Sequence, residues 1–462
     1  MSHDRSTRLV SPIAALPPKR SSARTAGPTL RALRGTVLWV AALPAAALAS
    51  DVHVVDAAGG GAHTTIQAAV QAAQDGDVIL VRAGAYAGDV TLGASSLVLV
   101  GEGAPQVLGH VLVQNLDSDD TLAMSGFVVS PPRGTFPFAF YRGAVDVRQC
   151  RGPVRLQDCV LRGADEAGVG PLPDHAPSLF VADGGPGLYA EMSHDVALVD
   201  SQAFGGVGAL GVVAVSGWGG EAVFALDVAH LTVARSVVRG GRGGDGDDPG
   251  DGGAGARIFG GTTLHLAYAA LFGGDAGCWA GFMSSPGWMV DGGDGLVRGA
   301  GTHTWDFDGV FGGGADASGS CAPTPAGGAP GQAHGGSGAM VSSTGFPNTL
   351  HAPALVREGQ AWSLEVVATA GELASVPASS ATAFGFRPRL EQPRLIAAPG
   401  LLMAAPPQVI PPTERLLLLQ PPATLPLGLD ADVRWFQAAV GPLGGPATWG
   451  SARFVVLLDA AL

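Results

Sequence analysis

A ten-residue pattern recurs along the middle of the chain, with apolar residues at its first and third positions, usually at its eighth, and glycine at its tenth. It reads Val154-Arg-Leu-Gln-Asp-Cys-Val-Leu-Arg-Gly163, then Val196-Ala-Leu-Val-Asp-Ser-Gln-Ala-Phe-Gly205, then Leu231-Thr-Val-Ala-Arg-Ser-Val-Val-Arg-Gly240. Leu264-His-Leu-Ala-Tyr-Ala-Ala-Leu-Phe-Gly273 and a degenerate stretch from His303 to Gly312 come next; upstream, Leu122-Ala-Met-Ser-Gly-Phe-Val-Val lacks the glycine and Leu97-Val-Leu-Val supplies a first strand alone. Period-two alternation, a small or polar corner residue, and a second short apolar run describe one rung of a coil. A rung cannot bury its inward face alone, whereas stacking on its neighbours does so through parallel pairing. The pattern predicts inward stacks at Val154/Leu156, Val196/Leu198, Leu231/Val233 and Leu264/Leu266.

Before the first rung, Thr64-Thr-Ile-Gln67 reads as a capping box. Ile66, Ala69, Val70 and Ala73 recur at helical spacing, predicting a short amphipathic helix that ends near Gly76. Such a helix would cover the open end of the coil and shield its strand edges. After Cys321, residues 322–354 form a Pro/Gly-rich linker or final loop, and from 355 to 462 short apolar runs between Pro and Gly predict a small antiparallel β-sandwich.

The stretches Thr65-Ile-Gln-Ala-Ala-Val, Asp75-Gly-Asp-Val-Ile-Leu-Val and Gly84-Ala-Tyr86, followed by Leu97-Val-Leu-Val-Gly-Glu-Gly103, resemble the opening of secreted right-handed parallel β-helix proteins of the pectin-lyase-like superfamily. The resemblance covers residues 52 to 320 and implies the right hand of the coil. The last third is similar to the C-terminal β-sandwich appended to many secreted bacterial repeat proteins. The expected fold is therefore all-β: a parallel β-helix over 50–321 with an N-terminal capping helix, then the sandwich.

Composition adds the compartment. Residues 1–49 carry seven basic side chains against Asp4, then the apolar run Val37 to Ala49 ending in Ala-Leu-Ala, as in a secretory signal peptide with a long basic leader. The run is shorter than the ~20 residues of a membrane span. Residues 50–462 hold 19 Arg and no Lys against 38 acids, a net charge of −19, so nucleic acid is excluded as a partner. The mature chain is expected to be secreted, extracellular or on the cell surface, with a polysaccharide or surface component as partner and no transmembrane span. Its four cysteines, in an oxidising compartment, suggest two disulfides with three pairings open. The coil arrangement favours Cys150 with Cys159, on successive faces of one coil, and Cys278 with Cys321, in the same loop of successive coils.

Of the 71 glycines, 49 lie between Gly134 and Gly345. They are expected to punctuate the coil where each rung turns out into a loop, with positive φ at the exit. The chemistry is sparse. The superfamily includes lyases and hydrolases as well as non-catalytic proteins, and neither a Trp-Ile-Asp-His signature nor Gly-His-Gly or Arg-Ile-Lys motifs occur here. Outward positions before each repeat assign a mixed acid/arginine face to Asp146, Arg148, Tyr189, Glu191, Arg257 and Arg298. Gly243-Gly-Asp-Gly-Asp-Asp248 starts like a Ca²⁺-binding repeat, making Asp245, Asp247, Asp248 and Asp251 candidate ligands and Ca²⁺ the one cofactor suggested. His194, His230, His265 and His303 occupy different repeat positions and are expected to form no column. The favoured function is a non-enzymatic exported solenoid with a binding or structural role, glycan binding included; the alternative is a lyase or hydrolase acting on an acidic glycan.

Overall fold

The computed structural model describes residues 51–133, 142–165, 183–278, 290–316, 329–343, 348–380, 382–385, 394–396, 402–425, 429–442 and 447–462. Three parallel sheets, of ten, eight and eight strands, run side by side along a solenoid. Each coil visits them in turn, as in Asp195–Val199 on the first, Gln202–Phe204 on the second and Val223–Leu226 on the third. The alternation explains the register: Val154 pairs with Val196, Val196 with Leu231, and Leu231 with Leu264. These stacks are fully buried, each side chain contributing about 1.5–3 kcal/mol.

The last copy is out of step. Leu264 pairs with Thr304, so Thr304 and Asp306 take the inward places while His303, Trp305 and Phe307 fall on the other face. A slip of one residue exchanges the faces because the side-chain period is two. The coil also runs past Cys321: His334–Gly336 and Ala339–Ser343, in the stretch read as linker or final loop, extend the third and first sheets.

The early helix spans Ile66–Ala72, with Ile66 and Ala69 in the solenoid core. Its N-cap is Thr65, whose Oγ1 accepts from the Ala68 N–H at 3.3 Å. Gln67 does not close a capping box; its Oε1 accepts from the Thr91 N–H at 2.6 Å. Strand Val52–Val55 pairs beyond Val78–Val81, so a strand rather than the helix forms this edge of the first sheet.

Corners after the first sheet carry left-handed residues, among them Asp158, Asp200, Arg235 and Tyr268. The residue after each corner points inward. Cys159 N–H donates to Ser201 Oγ at 3.0 Å, and Ser201 N–H to Ser236 Oγ at 3.1 Å. Each serine hydroxyl then donates to a carbonyl, Val199 O at 2.8 Å and Ala234 O at 2.9 Å. In a chain with two asparagines, this hydroxyl ladder satisfies buried backbone, at roughly 1 kcal/mol per bond.

Cys150 and Cys159 are free, buried thiols, not a disulfide. Strand Pro153–Gln157 separates their corners, and five extended residues span roughly 17 Å, far beyond the reach of a bridge. Cys278 is disulfide-bonded; Cys321 lies outside the described residues.

The glycine-rich segments between the second and third sheets are ordered rows of backbone. Glycine N–H groups donate along a zigzag from coil to coil: Gly206 to Gly185 O, Gly220 to Gly206 O, Gly241 to Gly220 O, Gly253 to Gly241 O and Gly274 to Gly253 O, each at 2.8–2.9 Å. Outgoing limbs also bond to outgoing limbs, as Gly240 to Phe272 O and Gly243 to Asp275 O, both within 3.0 Å. Neighbours are therefore contacted every third residue, the period of an extended polyproline-II-type helix. None of these glycines has positive φ, which corrects the expected reason for them. A Cβ on Gly241 would lie 1.9 Å from Gly206 O, and one on Gly274 1.9 Å from Gly241 O. Glycine is required because only a backbone without side chains packs this closely.

The C-terminal part folds as two facing sheets around Leu350, Leu364, Val366, Phe436 and Val455. One holds Thr349–His351, Trp362–Val367 and Arg415–Gln420, and the other is dominated by the hairpin of Ala431–Gly441 with Thr448–Leu458. The far side of that hairpin places Trp435, Phe454 and Val456 against Val78, Leu80 and Val100, outward residues of the first sheet. Arg453 reaches Asp158 at 2.5 Å and Asp200 at 2.8 Å, and Arg235 pairs with Asp200. Arg357 meets Glu102 at 2.8 Å. The first sheet is thus the seat of the sandwich.

Candidate functional site

With the first sheet occupied, the outer face of the third sheet is the surface on which the predicted residues can be compared. Register places Asp146 beside Tyr189, Tyr189 beside Phe224, and Phe224 beside Arg257. Arg148 stands beside Glu191, and Leu226 beside Phe259, in the adjacent row. Five of the six predicted residues therefore share two neighbouring rows. Arg298 does not. It pairs with Ile258 in the inward row, and its Nη1 donates to Gly338 O at 2.8 Å.

Both arginines of this face are paired with acids, and Glu191 is held by a hydroxyl. Asp146 accepts from the Gly143 N–H at 2.6 Å and from Arg148 Nη2 at 3.0 Å. Burial nevertheless holds its carboxyl above the usual range, the Gly143 bond opposing. The Tyr189 hydroxyl donates to Glu191 Oε2 at 3.1 Å, and burial, followed by the Glu191 charge, pushes the phenol up to about 12. Arg257 pairs with Glu221 at 2.8 Å.

An aromatic row runs through these pairs. The Arg148 guanidinium lies 4.8 Å over the Tyr189 ring; Tyr189 stacks on Phe224 at 5.4 Å, and Phe224 meets Phe259 at 5.9 Å. Phe224 and Phe259 carry no charge to mark them as site residues in the sequence. Their signal was present, since both sit in the strand preceding a repeat at the parity of Tyr189 and Glu191.

At the edge of the face, where the chain turns toward the first sheet, a groove of about 410 Å³ is lined by Asn115, Leu116, Asp117, Gln149, Arg151 and Met192. These are turn residues, and no periodic pattern marks them.

Comparison with protein-family models, with curated proteins and with solved structures gives no match.

Of the candidate calcium ligands, Asp245 and Asp251 make structural contacts. Asp245 pairs with Arg242 and accepts from the Cys278 N–H at 2.6 Å, while Asp251 accepts from the Asp291 N–H at 2.8 Å. The side chains of Asp247 and Asp248 fall outside the described part of the structure. Among the described residues no group of three or more His, Cys, Asp or Glu gathers as metal ligands. Three of the four histidines nevertheless lie ring to ring, His194 and His230 at 5.5 Å between centroids and His230 and His265 at 5.8 Å, while His303 stands apart, opposite Thr263. Register does not pair them, since His230 stands opposite Asp195 and His265 opposite Thr232; the rings meet diagonally across neighbouring strands. Trp218 is exposed, while Trp279 and Trp288 lie outside the described residues. No helix among the described residues is long and apolar enough to cross a membrane.

Proposed function

We propose that this chain is an exported β-solenoid that binds glycan without turning it over, in an extracellular or cell-surface role. One observation carries the proposal: the third sheet holds an aromatic row, with Tyr189 buried and Phe224 and Phe259 partly exposed, flanked by the Asp146–Arg148 and Glu221–Arg257 pairs. Aromatic faces take up sugar rings by apolar contact, and paired polar groups around them supply orientation. General acid–base chemistry requires a group that can reach the substrate proton, whereas Asp146, Glu191 and Arg257 are held by neighbours. Export through cleavage after Ala49, a right-handed coil of the pectin-lyase-like type and an end-covering role for the Ile66–Ala72 helix belong to the same proposal. Parallel crossovers strongly favour that hand.

A second reading, a lyase or hydrolase on an acidic glycan, is favoured by Asp146 alone, whose raised pKa suits a proton donor. A panel of uronate and neutral polysaccharides separates the two. Binding on a glycan array with no new reducing or unsaturated ends is the expected result. Product formation that disappears in Asp146→Asn would replace binding by catalysis.

A further inference from the structure

The groove at the edge of the third sheet is a site distinct from the aromatic row, and its lining names a ligand chemistry. Resting on the assignment of that sheet as a glycan surface, we infer that the groove is a subsite for one sugar unit, gripped by its vicinal hydroxyls.

The groove is assembled from three successive coils. Asn115, Gln149 and Met192 each follow a third-sheet strand directly, namely Val111–Gln114, Val145–Arg148 and Leu188–Glu191. All three are left-handed, with φ of 57°, 55° and 45°. Because those strands pair in register, the three side chains recur at the strand spacing of about 4.8 Å. Directly after Asn115 and Leu116, Asp117 opens a turn that runs to Asp120. It is braced by the Asp120 N–H to Asp117 O bond at 3.1 Å and by Asp120 Oδ2, which accepts from the Asp117 N–H at 3.1 Å. The turn also lies against Gly152, where a Cβ would stand 2.2 Å from Asp120 O. A braced turn therefore adjoins a regularly spaced column.

The polar groups select by type. Asp117 in the lining opposes a simple anion, and Arg151 opposes a simple cation. Four polar side chains among six lining residues oppose an apolar ligand. A sugar hydroxyl both donates and accepts. The two amides match it in both senses, the Asp117 carboxylate accepts, and the Arg151 guanidinium donates in a planar fork suited to two adjacent oxygens. Met192, 50% exposed, offers a polarisable apolar surface to the C–H face of a ring. The volume is that of a small-ligand site. Gln149 and Met192 are the immediate neighbours of Arg148 and Glu191, so a chain seated on the aromatic row would run into the groove.

The test uses the full mature chain and the oligosaccharide that binds best on an array. Gln149→Ala and Arg151→Ala are each expected to weaken its Kd at least tenfold, with an unchanged melting temperature. Asn115→Gly removes the amide while suiting the left-handed backbone, and so separates lost contact from lost fold. Treating the same oligosaccharide with periodate, which cleaves the carbon–carbon bond between vicinal hydroxyls, should weaken binding to a similar degree. Full affinity in the three groove variants, with loss in Phe224→Ala, would place the ligand on the aromatic row alone and overturn the subsite. Absence of binding to any glycan would instead remove the function on which the subsite rests.

Discussion

A methyl group at Gly241 has nowhere to go. Its nearest atom, at 1.9 Å, is the backbone oxygen of Gly206, itself held in the row. Gly241→Ala should therefore cost on the order of 4 kcal/mol. Gly76→Ala, at φ 89° with open space around it, should cost only about 1 kcal/mol of backbone strain. Urea unfolding of both variants checks the contrast, and equal losses would mean that close approach is not what the row requires. His265 is a buried imidazole. Burial pulls its pKa from 6.5 down to about 3, so between those values the unfolded chain takes up a proton that the folded chain refuses. Stability then rises with pH across that window and is lost on acidification, by ~1.4 kcal/mol per pH unit for one such group. His265→Gln should flatten the melting-temperature profile between pH 6 and 4.5; a profile parallel to wild type would count against a neutral buried ring.

Between elements, Arg453 ties sandwich to solenoid, serving Asp158 and Asp200 together while Arg235 holds Asp200 from the coil side. Removing it leaves Asp158 without its ion-pair partner and Asp200 with Arg235 alone. Arg453→Ala is expected to cost about 2 kcal/mol and to speed limited proteolysis of the chain, read by mass spectrometry. Intact digestion kinetics would show that apolar packing alone seats the sandwich. This joint was not legible in the sequence, because its partners stand some 250 to 300 residues apart. The inward stacks were legible, since Val154/Leu156 and its equivalents state their period locally. The same local pattern failed at His303, where apolar Trp305 and Phe307 imitate the inward parity but face the other way. Arg298 was missed in the same manner, through a three-residue strand too short to declare its phase. Of the candidate site, two columns were readable from strand parity; the groove was not, since turns carry no period.

For the whole molecule, the first sheet has apolar residues on both faces: Ile79 and Leu99 look into the coil, Val78, Leu80, Val98 and Val100 toward the sandwich. A solenoid ending at Ser343 would present that outer row to water as an apolar patch, a surface that drives association. Residues 50–343 expressed alone should bind a hydrophobic dye and aggregate at micromolar concentration, whereas 50–462 should do neither, as light scattering would report. A well-behaved monomer of the shorter chain would make the sandwich an independent module. Finally, the glycine rows limit how these segments can change length. A limb that meets its neighbours every third residue can grow or shrink only by whole triplets. A single-residue insertion would turn each later side chain by about 120° into the backbone beside it, so length variation here should come in steps of three, matched between an outgoing limb and its return.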